Sequence, residues 1–183
     1  MGTLSELLRR LFLEVYRLPG PELLLIGAVA ILVWAALFRA CGRDGRWRIG
    51  SGVLLLLWAA AVLWATVLSR GQGPVQTFRL IPLSSYWEVL TGGNPEILRS
   101  CFMNVLLFFP AGLLCAGMLP GRWRRGGRMA WVVLAFSLLS LGIELAQFRL
   151  GIGQGEIDDV LHNALGVLAG FACCRMAEVR IKA

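Results

Sequence analysis

The sequence predicts an all-α membrane protein, a polytopic helical bundle of about five transmembrane helices with an N-terminal amphipathic helix. Three observations predict it. Of 183 residues, 57% are hydrophobic and only 16% charged, with a mean hydropathy of +0.70, too apolar for a water-soluble chain of this size. The apolar residues gather into runs of about 18 to 20, each long enough as a helix to cross roughly 30 Å of hydrocarbon. Arginines cluster in the short connections between alternate runs, the pattern that fixes a membrane chain's orientation.

Residues 1–21 form the amphipathic segment. Leu4, Leu7, Leu8, Leu11, Phe12 and Val15 share one helical face, with Glu6, Arg9, Arg10 and Arg17 off it, and Pro19-Gly20-Pro21 ends the pattern. The transmembrane domain covers 22–183, with spans at about 22–39, 49–68, 101–119, 129–148 and 157–176. No cleavable signal peptide is recognisable, so the first span is expected to serve as the insertion signal. The longest connection, 70–99, has an apolar middle from Phe78 to Leu90 that suits a segment dipping into the membrane or lying on it. Pro110 is expected to kink the third span by removing a hydrogen bond to the carbonyl of Leu106. Trp47, Trp123 and Trp131 flank the basic connections and read as interface anchors.

The net charge of +7 does not point to nucleic acid, because the basic residues lie in short clusters between apolar runs. Arg39, Arg43, Arg46 and Arg48 follow the first span, Arg122, Arg124, Arg125 and Arg128 the third, and Arg175, Arg180 and Lys182 the fifth. Five spans put all three clusters on one side, which the positive-inside rule makes cytoplasmic, the C-terminus included. The amino-terminal helix, the 70–99 connection and the Gly151–Glu156 turn then face outward; Arg9, Arg10 and Arg17 run against this orientation, and Glu6, Glu14 and Glu22 accompany them. The five cysteines form no CxxC framework and read mainly as small buried hydrophobes.

This topology gathers the polar residues. Ser137, Ser140, Glu144 and Gln147 fall at i, i+3, i+7 and i+10 on one helix face. Asp159, Asn163, Gly166 and Gly170 fall at i, i+4, i+7 and i+11 on the next. With Arg79 in the outer connection and Asn104 near the outer end of the third span, they converge on one leaflet. A carboxylate about one turn inside a span is costly unless solvated, paired or protonated, so Glu144 is a candidate acid or base, its alternative an ion pair with Arg79, Arg99 or Arg149. Asp158 and Asp159 open a helix, where carboxylates cap free N–H groups. Asp159 is the better functional candidate because it shares Asn163's face. His162 is the only histidine, and without a second ligand motif no metal and no other cofactor is expected. Asn104, Gln147 and Asn163 also suit hydrogen bonding across helices, and Gly112, Gly166 and Gly170 suit close helix packing.

Residues 79–83 (RLIPL), 104–113 (NVLLFFPAGL) and 144–170 together resemble the VanZ-like family of bacterial membrane proteins. The matching features are Ile81-Pro82, Asn104 with Phe108-Phe109-Pro110-Ala111-Gly112, Glu144 with Gln147, and Ile157-Asp158-Asp159 with Asn163 and Gly166. Leu80, Leu83 and Gln154 depart from the family pattern, and Glu156 occupies its first acidic position. The resemblance implies a cell-envelope protein linked to teicoplanin-type glycopeptide resistance, in the bacterial cytoplasmic membrane. The expected partners are the bilayer and a lipid-linked envelope component or a lipoglycopeptide. An enzyme using Glu144 or Asp159 as acid or base on a lipid head group is the second reading, and a structural or partner-binding protein the third.

Overall fold

The computed structural model of the chain describes residues 45–71, 77–92, 95–119 and 128–182. The amphipathic segment expected at 1–21 and the span expected at about 22–39 lie outside the described residues. Helix α1 (Gly45–Leu63) runs on into a π-helical turn (Trp64–Leu68). A two-residue strand β1 (Phe78–Arg79) and the short helix α2 (Ser84–Gly92) follow. The long helices α3 (Pro95–Met118) and α4 (Arg128–Leu150), strand β2 (Gly155–Glu156) and helix α5 (Ile157–Lys182) complete the order.

Four helices among the described residues are long and apolar enough to cross a membrane, over Gly45–Leu68, Glu96–Met118, Arg128–Leu150 and Ile157–Arg175. The protein is a multi-pass membrane protein. Helix α3 begins before its expected start at 101, because Pro95 has the fixed φ of a first helical residue and Glu96 suits the positive end of the dipole. It stays helical through Pro110. Helix α1 docks beside that proline, where Trp58 Nε1 donates to the Leu107 carbonyl at 2.9 Å. The Trp58 indole also meets Phe108 and Phe136 edge-on, at ring-centroid distances of 5.3 and 5.7 Å.

The tightest pair is α3 with α5, which run parallel. Glycines set their approach. A Cβ on Gly112 would strike the Val167 carbonyl, one on Gly166 the Val105 carbonyl, and one on Gly170 the Phe109 carbonyl. Small residues of this kind let two backbones touch where hydrocarbon gives no hydrophobic drive to associate. Phe108, Ala111, Val167 and Phe171 fill the remaining space and are wholly buried. Arg48 donates from Nε to the Met118 carbonyl at 3.0 Å, satisfying a free carbonyl at the end of α3.

Trp47 departs from its expected role as an interface anchor. It is buried in a cluster with Leu113, Leu114, Phe171 and Cys174, because the helix begins at Gly45 and carries the indole inward. Trp131 is exposed, and Trp123 lies outside the described residues.

Candidate functional site

The π-helical turn, the 77–92 segment, the start of α3, the end of α4 and the start of α5 meet at one end of the bundle. Between them lies a cavity of about 380 Å³. Its polar lining comes from every one of these elements: Thr66 and Arg70, then Arg79, Ser85 and Glu88, then Glu96 and Asn104, then Glu144 and Gln147, and finally Glu156, Asp159 and Asn163. Six of the eight polar and acid–base candidates read from the sequence therefore share one space. Asp158 and His162 do not line it.

Local structure explains how each side chain is aimed. Helix α4 stops at Gly151, whose φ of 67° needs no Cβ. The Gly151 N–H bonds the Phe148 carbonyl at 3.3 Å and the Ile152 N–H the Gln147 carbonyl at 3.1 Å, the paired bonds of a left-handed helix end. The chain turns back at once, and β2 pairs in parallel with β1, Phe78 beside Gly155 and Arg79 beside Glu156. Gly155 is required there, because a Cβ would run into the Phe78 ring. This turn brings the Glu156 N–H to Glu144 Oε2 at 3.1 Å. Glu144, only 4% exposed, thus keeps one polar contact along the turn and faces the cavity.

The amides lock the helices around this carboxylate. Gln147 Nε2 donates to the Thr66 carbonyl at 2.9 Å, a group that the helix end leaves free. Asn163 Nδ2 donates to Ser140 Oγ at 2.7 Å. Its Oδ1 is buried in the cavity wall with no hydrogen-bond partner in the structure. A buried polar atom left in this way carries a desolvation cost that a bound donor removes.

Arg79 pairs with Glu88 at 2.7 Å and stands 3.9 Å from Glu156, so it answers these carboxylates in place of Glu144. The bond it donates to Glu88 raises its guanidinium above the usual range, against the pull of partial burial. Burial has the opposite effect on the Glu156 carboxyl, raising it, with Arg79 opposing.

Asp158 has a different task from its neighbour. Its carboxylate is 1% exposed and accepts the Leu83 N–H at 2.5 Å, the Ser85 N–H at 2.9 Å and the Ser84 hydroxyl at 3.4 Å. It caps α2 from another element. Leu83 has a φ of 63°, a left-handed conformation costing about 1 kcal/mol or more outside glycine, and the Asp158 bond holds it there. His162, one turn further along the same face, meets the Tyr86 hydroxyl at 2.7 Å through Nε2. The 77–92 segment is thus strapped across the end of the bundle by the strand pair, Asp158 and His162.

Asp158→Ala is expected to free this strap. Losing hydrogen bonds to a buried charged acceptor costs about 2–3 kcal/mol, and hydrogen exchange at the amides of Leu83 and Ser85 should become fast while α3 stays protected. Unchanged protection would show that other contacts hold the strap.

Sequence reasoning passed over Arg70, Ser85, Glu88 and Glu96. Arg70 carries a signal, being a charged residue at the exit of an apolar span. No signal marks Ser85 or Glu88, which reach the cavity because the strand pair, Asp158 and His162 hold the strap across it. Among the described residues no cluster of His, Cys, Asp and Glu has the arrangement of a metal site. A family model described as VanZ/LLP1 matches residues 52–178, more than half of the chain. No curated protein and no solved structure matches.

Proposed function

The chain belongs to the VanZ-like family, and from that premise we propose that it lowers bacterial susceptibility to teicoplanin-type glycopeptide antibiotics. It does so from the cytoplasmic membrane, with its C-terminus inside, through an outward-facing polar site that binds or acts on a lipid-linked envelope component. One observation carries the reading. Arg79, Asn104, Glu144, Gln147, Asp159 and Asn163, drawn from three spans and the strap, line one cavity. Polar groups at membrane depth are expensive and mark sites of function.

A second reading is favoured by the two carboxylates that α4 and α5 bring to the same cavity, Glu144 and Asp159. In an enzyme acting on a lipid head group, one would take a proton and the other position or protonate the leaving group.

The test is expression of the protein in a glycopeptide-sensitive Gram-positive host. The inhibitory concentration of teicoplanin is expected to rise above that of the empty-vector control. No change, with the protein present in the membrane, would remove the resistance reading.

A further inference from the structure

The strap is amphipathic in the reverse sense of a helix on a water-soluble protein. On α2 and the turn before it, Leu83, Trp87 and Leu90 fall at i, i+4 and i+7 and face outward, with Trp87 68% and Leu90 80% exposed. Leu80 and Ile81, just before them, are equally open. The opposite face carries Ser85, 3% exposed, and Glu88, both in the cavity wall. In water this helix would be turned the other way, apolar side in and polar side out.

From this reversal we infer that the 77–92 strap is embedded in the bilayer by its outer face and forms the lipid-side wall of the cavity. The partner of this surface is a lipid leaflet. Three observations single out lipid. The outward apolar face lies at the same end of the bundle as exposed apolar residues of the spans themselves, Leu68, Phe102, Leu145 and Leu161, so it continues the belt already given to hydrocarbon. The strap's charges, Arg79 and Glu88, are paired with each other, leaving no unpaired charge to be taken into the leaflet. Its backbone N–H groups at Leu83 and Ser85 and its Thr77 carbonyl are hydrogen-bonded within the protein, as backbone beside lipid requires. A head group reaching the cavity past this wall can keep its tail in the leaflet. The inference stands on the strap's placement and does not depend on the resistance reading.

The experiment is a two-reagent footprint of the full chain in vesicles of phosphatidylcholine and phosphatidylglycerol. One sample contains a phosphatidylcholine with a diazirine on its acyl chain, the other is exposed to hydroxyl radicals generated in the water, and adducts are mapped by mass spectrometry. Acyl-chain adducts are expected on residues 80–90, as on the span residues Leu56 and Leu138, with loss of radical labelling over the same stretch. Radical labelling of 80–90 without lipid adducts would overturn the inference and place the strap in water. Labelling by neither reagent would also overturn it, because a second protein surface would then cover that face. Lipid adducts on the strap in a protein that leaves teicoplanin susceptibility unchanged would sustain this inference while the resistance reading fails.

Discussion

Gly170→Leu is expected to remove folded protein from the membrane. A Cβ at this position would strike the Phe109 carbonyl, and backbone has no rotamer to escape through. Overpacking a core usually costs about 1–3 kcal/mol, and here the strain falls on two helix backbones, so the upper end or beyond is expected. The helices can separate only by giving up the contact that holds α3 to α5. The control is Gly142→Leu on α4, where nothing lies within 4 Å of the added Cβ, and a change within about 0.5 kcal/mol is expected. Thermal melting and monodisperse yield in detergent distinguish the two. Equal melting of both variants would mean that the α3–α5 contact is not the pair that sets stability.

Asn163→Asp is expected to be nearly as damaging, for an electrostatic reason. Asn163 is 5% exposed and donates from Nδ2 to Ser140 Oγ at 2.7 Å. An ionised carboxylate loses that donor and adds a third carboxyl group beside Glu144 and Asp159 in a largely buried space. An uncompensated buried charge costs about 3–5 kcal/mol. Asn163→Ser, which is smaller but can still donate, should keep most of the stability. The same melting assay reads both. A stable Asn163→Asp protein would mean that the new carboxyl is solvated or protonated in the cavity.

The gathering of polar groups could be read from the chain because two regularities combined. Helical spacing put Glu144 with Gln147, and Asp159 with Asn163, on single faces. Alternating spans then placed those faces, Asn104 and Arg79 at the same end. The preference for Asp159 over Asp158 could be read too, because Asp159 shares Asn163's face and one step along a helix is a rotation of about 100°; what could not be read was the partner that Asp158 and His162 find. That rotation sends Asp158 and His162 to the strap, and Asp159 and Asn163 to the cavity.

The strap was legible only in part. Its apolar middle showed in the sequence, but its polar inner face depends on a two-residue strand pair joining Phe78 and Arg79 to Gly155 and Glu156. That pairing is too short to leave a periodic signal and bridges distant segments. Trp47 was misplaced for a related reason. A tryptophan beside arginines fits both an interface anchor and the first inward residue of a helix, and the helix start at Gly45 decides between them.

The most direct test of the central claim is teicoplanin tolerance conferred by Glu144→Gln, compared with wild type at matched membrane abundance. Glutamine keeps an oxygen to accept the Glu156 N–H that Glu144 accepts at 3.1 Å, so the turn and the fold should survive while the ionisable carboxyl and its proton chemistry do not. A protein as abundant as wild type that no longer raises tolerance is expected. Full tolerance in the variant would contradict the claim and leave the cavity a structural feature of the bundle.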